Sequence, residues 1–323
     1  MKLLFWCQGA GEFSIARYLL DYCIEKGDSV MLFLDKGTTR LLSEEDAMKY
    51  SLSEYDLQDW DMIGRIKVTI DTYKPDVLVM QPSRTWQSMI TPEDLKDVKL
   101  KIGLECNVYF RGIDAYKLDT VNPSWLDFFV TTFDPEFSAE SMRLLYGTDK
   151  LPKEIEDKYR CFGWFAPKLE KKQSGDYIFV YTGSGVTGNQ WYAQKIMDLI
   201  GPERNVLLVG AGDPVIGNFP NLTKVPGLPG DEFEQALINA DYAILHEGYG
   251  SIGKCLMNKV PFVSIRNGTK FKYIETEPLN TLGYARAVDF KDLDKDNIKK
   301  PGPLYKDFEW GVPKTYELIK ANV

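Results

Sequence analysis

Short apolar runs alternate with glycine-rich turns and amphipathic stretches along most of the chain, and this rhythm admits few folds. A strand is predicted over residues 2–8. Gly9-Ala10-Gly11 follows, then an amphipathic helix over residues 13–26. Gly27-Asp28 closes that helix, because a glycine takes the left-handed conformation at a helix end at little cost. A second strand is predicted over residues 29–34. Strand, turn, helix, strand is the opening of a parallel, doubly wound sheet, since parallel neighbours need a crossover and a helix supplies it. A helix over residues 63–73 leads through Pro75-Asp76 to a strand at 77–80, and the runs at 100–104 and 128–131 have the length of buried parallel strands.

The rhythm breaks around residues 159–174. The polar, basic run 168–172, ending at Gln173-Ser174-Gly175, reads as a linker. It then restarts: strand 177–181, a glycine-rich turn, helix 191–200, strand 206–209, helix 231–240, strand 242–245, a second glycine-rich turn, helix 251–257 and strand 261–265. The expected architecture is α/β, with two Rossmann-like domains. Residues 1–165 form the first, residues 175–303 the second, and residues 304–323 a C-terminal helical segment. With 323 residues, each half has enough chain for its own core.

Charge and composition exclude several functions. A net charge of −8 argues against an electrostatic grip on nucleic acid. The same charge gives no support to peripheral membrane contact, and the apolar stretches at Tyr109-Phe110 and residues 125–130 read as strands and core. Cys7, Cys23, Cys106, Cys161 and Cys255 are scattered, with no C-x-x-C pair, which points to a reducing compartment and no structural zinc. The apolar start, residues 1–7, is too short for a signal sequence, and no stretch approaches the ~20 apolar residues of a spanning helix. A cytoplasmic protein is expected. His246 is the only histidine, so a multi-histidine metal site is excluded, and no metal is expected. Among the many aromatics, Trp164, Phe165, Trp191 and Tyr249 could stack on a base or sugar. Tyr249 is the best placed, and the others read as packing.

Three strand-to-helix glycine loops could cradle phosphate on helix N-terminal amides. The first, Gly9-Ala10-Gly11-Glu12-Phe13-Ser14, nearly matches G-x-G-x-x-G, with Asp35 where a dinucleotide fold places its ribose-binding acid. A nicotinamide dehydrogenase is therefore one reading. The second, Gly183-Ser184-Gly185-Val186-Thr187-Gly188, is a full G-x-G-x-x-G. The third runs from His246 through Gly248, Tyr249, Gly250, Ser251 and Gly253 to Lys254-Cys255. It fits G-x-x-x-x-G-K but has cysteine where a P-loop needs a hydroxyl for magnesium. What remains is a histidine and glycines at a strand end feeding a helix, which suits a diphosphate.

The segment from Asn239-Ala240-Asp241 through His246-Glu247-Gly248-Tyr249-Gly250-Ser251, followed by Lys259-Val260-Pro261-Phe262, resembles the donor-binding segment of GT-B glycosyltransferases. The likeness is to family 28 and the UDP-glucuronosyltransferase-like enzymes, and it is good over residues 226–283 and modest over 1–29. Those families carry Glu-Ala inside the helix, where this chain has Lys254-Cys255. The resemblance implies that Glu277 faces the donor sugar hydroxyls with Asn280 nearby, and Glu275 substitutes if the register slips. It also places Gly183, Ser184 and Gly185 near the diphosphate. In the first loop, Glu12 stands where the families have histidine, and Arg17 follows at the expected distance.

The chemistry divides accordingly. Amides of Gly248, Gly250 and Ser251 could hold a diphosphate without a metal, with His246 and the Ser184 hydroxyl as further donors. Glu12 is the candidate acceptor base, or only a favourable first-turn anion for its helix. Glu105 is a weaker rival. Gly11 and Arg17 belong to the acceptor side, although Arg17 also reads as a solvated helix position. Glycosyl transfer from a nucleotide-diphosphate sugar, metal-independent and inverting as in the resembling families, is the leading expectation. The nucleotide sugar is a co-substrate rather than a cofactor, and the acceptor is an unspecified sugar, lipid or small molecule. A nucleotide-sugar 2-epimerase, a hydrolase, or a non-catalytic nucleotide-sugar-binding protein would use the same fold.

Overall fold

The computed structural model describes residues 1–7, 9–39, 42, 44–55, 62–80, 90–105, 125–148, 156–183, 190–210, 215–228, 230–246, 248–267 and 270–323. They divide into two compact units. The first comprises Met1–Ala166 with Glu309–Val323, and the second comprises Pro167–Phe308.

In the first unit, β1 (Lys2–Cys7), α1 (Ala10–Glu25), β2 (Ser29–Asp35), the short α2 (Lys36–Thr39) and α3 (Glu44–Lys49), β3 (Ser51–Tyr55), α4 (Met62–Tyr73), β4 (Val77–Met80), β5 (Leu100–Glu105), β6 (Phe128–Thr131), α5 (Pro135–Tyr146) and β7 (Tyr159–Cys161) follow in order. The strands form a seven-stranded sheet, ordered β3-β2-β1-β4-β5-β6-β7. Every pairing is parallel, which accounts for the continuous apolar runs: helices cover both faces, so alternation disappears. Leu4, Phe33, Leu78, Ile66 and Ile70 meet in the core beneath α4. The expected glycine stop of α1 is present, with Gly27 at φ 84° and its amide on the Ile24 carbonyl at 2.9 Å.

The second unit contains β8 (Ile178–Tyr181), α6 (Gln190–Ile200), β9 (Val206–Val209), β10 (Leu222–Val225), α7 (Gly230–Asn239), β11 (Tyr242–His246), α8 (Tyr249–Met257), β12 (Phe262–Arg266), α9 (Lys270–Thr281) and β13 (Arg286–Asp289). Its sheet has six parallel strands, ordered β10-β9-β8-β11-β12-β13. The stretch read as a linker lies along this unit. Asn258 accepts the Leu169 amide at 2.6 Å and donates to the Pro167 carbonyl at 3.1 Å.

The C-terminal segment is not a separate piece. Residues through Phe308 belong to the second unit, and α10 (Gly311–Ala321) belongs to the first. Tyr22 of α1 holds it, edge-on to Trp310 at 5.7 Å and to Tyr316 at 5.3 Å. Trp164 bridges to Trp310 in parallel. Gly163, at φ 122°, allows the approach: a Cβ there would sit 2.3 Å from the Glu309 carbonyl oxygen. Trp164 and Phe165, once candidates for stacking on a ligand, are 2% and 3% exposed and serve this packing. The helix Gly311–Ala321 covers the latter part of residues 304–323.

Candidate functional site

In a doubly wound sheet, the crevice for a ligand opens at the carboxyl ends of the two strands where the winding reverses. In the second unit these are β8 and β11. In the first unit they are β1 and β4. Each glycine loop singled out in the sequence therefore leaves its sheet at, or beside, a reversal point.

At the edge of the first unit, Trp6 lies opposite Met80 across β1 and β4. A small pocket there is lined by Trp6, Cys7, Glu12, Val79, Met80 and Leu104. Glu12 is half-buried in the first turn of α1, whose N-cap Gly9 provides no side-chain cap. Cys7 is held well above its ordinary thiol value by burial and then by the Glu12 carboxylate. Tyr55, whose hydroxyl donates to the Cys7 carbonyl at 3.0 Å, is raised by burial and next by Glu12. Both shifts put the Glu12 carboxylate within electrostatic reach of the strand end. Gly11 is exposed in the same turn. Arg17 is not a solvated position, its side chain being 13% exposed. Arg17 faces Asp21 at 3.8 Å, which also takes Lys49 and the Tyr50 hydroxyl, each at 2.7 Å. Asp35 is 8% exposed and accepts from the hydroxyl of Thr38, on the turn that follows β2. Glu105 ends β5.

The edge of the second unit has different chemistry. Gly183, just past β8, has φ 105°, a conformation open to glycine and costly for other residues. Ser184 and Gly185 lie outside the described residues, as does Glu247. Trp191 lies in α6. His246 ends β11, and its ring is 6.4 Å from that of Tyr192, which stacks on Phe290 at 4.3 Å. Gly248 is the N-cap of α8, in extended backbone and without a side-chain cap. Its amide donates to the His246 carbonyl at 2.6 Å, and the Ser251 amide donates back to the Gly248 carbonyl at 3.1 Å. Two of the three amides expected to meet a diphosphate are thus engaged in shaping the turn. The Gly250 amide, in the first turn of α8, is not one of these two turn bonds. Neither α6 nor α8 has an acidic residue in its first turn, whereas α1 has Glu12. A carboxylate in a first turn already answers the positive end of the helix, so an anion is favoured at α8 and opposed at α1.

Behind α8, Lys254 and Glu234 form a buried pair at 3.6 Å, with side chains 8% and 7% exposed. The Lys254 ammonium also lies 5.4 Å over the Phe233 ring. Cys255 is fully buried, with its thiol raised by burial, and takes no part in the edge.

Glu277 and Asn280 fall on α9 and are tied to protein groups. Glu277 Oε2 accepts from Arg266 Nη1 at 2.8 Å and from Asn280 Nδ2 at 3.1 Å. Asn280 also clamps Ala287 of β13, accepting its amide at 2.8 Å and donating to its carbonyl at 3.0 Å. Glu275 is 3% exposed and pairs with Lys272 at 2.7 Å. Arg266, absent from the residues singled out in the sequence, is the hub of this corner. A charged residue directly after the apolar run 262–265 was the available signal. Among the described residues, no helix is long and apolar enough to cross a membrane.

No family model matches the sequence, and no curated protein matches it. Solved structures do. The glycosyltransferase SnogD from Streptomyces nogalater superposes with a TM-score of 0.63 at 17% identity, covering 92% of this chain and 89% of that one. The glycosyltransferase VinC in complex with dTDP gives 0.58 at 11% identity, over 92% and 89%. Arabidopsis thaliana UGT89C1 complexed with UDP-L-rhamnose gives 0.61 at 10% identity, over 92% and 88%. With two parallel sheets of seven and six strands, each a Rossmann-like domain, and matches spanning nearly all of the chain, the protein has the GT-B glycosyltransferase fold.

Proposed function

We propose that this protein transfers a sugar of the hexose class from a nucleoside-diphosphate sugar to an acceptor, without a metal ion and with inversion. The second unit takes the donor and the first takes the acceptor. The observation that carries the reading is the contrast between the two reversal points: a first helical turn with no acidic residue at one, and a half-buried carboxylate in the first helical turn at the other. Glu12 removes the proton as the acceptor atom attacks the anomeric carbon. The bond from that carbon to the β-phosphate oxygen breaks, and its electron pair leaves with the diphosphate. The Gly250 amide, the α8 dipole, the Ser251 hydroxyl and His246 take up the developing charge, together with the Gly183-Ser184-Gly185 turn. Tyr249 offers a stacking face, and Glu277 with Asn280 reads the sugar. The dTDP and UDP-sugar bound by VinC and UGT89C1 support a uridine or thymidine donor.

Calorimetric titration with UDP, GDP, dTDP, CMP, ATP and NAD, with and without magnesium, tests the donor half. Binding of one nucleoside diphosphate in the absence of magnesium is expected. Binding of NAD alone would return the argument to Gly9–Asp35 and a dehydrogenase. A nucleotide-sugar hydrolase or 2-epimerase is favoured by one observation, the carboxylate at Glu12 in place of the histidine of the resembling families. Release of free sugar, or a changed sugar, with no acceptor present would select it.

A further inference from the structure

We infer that Arg266 is a positioning residue for donor-sugar recognition, holding Glu277 at the ligand edge of the second unit. The inference rests on the donor reading above. Ile265 lies opposite His246 in the sheet, so Arg266 stands one residue further along the neighbouring strand. Adjacent strands are ~4.8 Å apart, which puts the Arg266 backbone beside the start of the α8 turn. Its side chain is 7% exposed and runs between two carboxylates: Nη1 meets Glu277 Oε2 at 2.8 Å, and Nε meets Asp289 Oδ1 at 3.0 Å. The Tyr273 ring covers the guanidinium at 4.6 Å.

Arginine–carboxylate pairs are frequently bidentate, with two parallel bonds to one carboxylate. Here the fork is split. Nη2 and Glu277 Oε1 have no partner among the described residues, and Glu277 keeps one-fifth of its side-chain exposure. Oε2 is fixed from two sides, by Arg266 and Asn280. The orientation of Glu277 is therefore set in advance, with one acceptor oxygen left over. The corner carries one positive and two negative charges, so it favours groups that donate hydrogen bonds and disfavours an added carboxylate. The ligand chemistry that fits is the hydroxyl or amino group of a neutral or amino sugar, not the carboxylate of a uronic acid.

The test compares intact nucleotide sugars with the bare diphosphates. Wild type, Arg266→Lys, Arg266→Gln and Glu277→Gln are titrated with UDP-glucose, UDP-glucuronate and UDP, and with the thymidine pair dTDP-glucose and dTDP. Wild type is expected to prefer the glucose over the glucuronate donor. Both Arg266 variants are expected to lose affinity for the glucose donor by about tenfold, the worth of one charged hydrogen bond. Affinity for the matching diphosphate should change less than twofold. Arg266→Lys keeps the charge but not the fork, and should not rescue sugar binding. Glu277→Gln should mimic the loss with the guanidinium intact. Equal loss for sugar and diphosphate, or no loss for either, would overturn the inference while leaving the donor site standing. If wild type binds no nucleotide at all, the donor reading fails, and the inference fails with it.

Discussion

The two reversal points share a topology and differ in their chemistry. Each lies where a first strand, β1 or β8, meets the strand that reverses the winding, β4 or β11. At β1 and β4 the described lining is apolar except for Glu12, in the first turn of α1. At β8 and β11 the described residues of the edge include a histidine, backbone amides and a first turn of α8 with no acidic residue. A glycine-rich βα turn is therefore not by itself a phosphate site. The first turn of the helix decides. Glu12 occupies the dipole that a pyrophosphate would need, which speaks against the dinucleotide reading of Gly9–Asp35 and turns the same residue into a candidate base.

The strongest way to break this contrast is to neutralise Glu12. Glu12→Gln should lower turnover by about 10²–10⁴-fold and leave nucleoside-diphosphate affinity unchanged, as read by steady-state kinetics beside calorimetry. Equal loss of both would mean that Glu12 serves the nucleotide. Next, Lys254→Ala removes the cation of the buried pair with Glu234, and should cost about 3 kcal/mol of stability in urea unfolding. The double variant Lys254→Met with Glu234→Leu should recover most of it, since an apolar pair removes both buried charges. Failure to recover would mean that the cost does not come from a buried charge left behind. Third, Gly250→Asp puts a carboxylate where α8 now has none. It should weaken diphosphate binding roughly 10- to 100-fold, with little change in melting temperature.

The smallest effect is alkaline. Cys7 lies beneath one edge and Cys255 beneath the other, and burial raises both thiols above 9.0, as it does for Cys23. A folded-state value above the unfolded one means that the native chain keeps protons the unfolded chain releases. The associated stability is intact below pH 9 and declines as the pH climbs toward the folded values. Melting temperature should therefore fall progressively above about pH 9, and neither thiol should react with iodoacetamide at pH 8 in the native protein. Rapid labelling of Cys7 would mean that the first edge is more open than its packing implies.

What could be read from the sequence follows the same division between buried and exposed. The inner strands were recognisable, three of them to the residue: Val77–Met80, Phe128–Thr131 and Val206–Val209 are apolar because helices cover both faces. The four strands missed are β3, β7, β10 and β13, the outer strands of the two sheets. β10, with exposed Thr223 and Lys224, shows no apolar run, since an edge strand has solvent beside it and charged residues protect it. Helix α5 could have been read: Asp134 accepts the Phe137 amide at 3.1 Å, Pro135 starts the helix, and Gly147 ends it at φ 71°. Helix α9 was masked by Pro278, which removes one hydrogen bond and disfavours helix at the residue before it. The burial of Ile274 and Leu279 outweighs that local penalty. The loop residues of the candidate site were visible as glycines and a histidine. The corner around Arg266 was not, because its partners come from positions 277 and 289 and meet only when α9 and β13 pack together.

The central claim is that the two edges divide the chemistry, and one paired titration tests it most directly. UDP and dTDP affinity is measured by calorimetry in wild type, Glu12→Gln and Gly250→Asp under identical magnesium-free conditions. The expected result is one nucleoside diphosphate bound by wild type and by Glu12→Gln with equal affinity, and weakened in Gly250→Asp. Loss of binding in Glu12→Gln with retention in Gly250→Asp would place the diphosphate at the first edge and contradict the account.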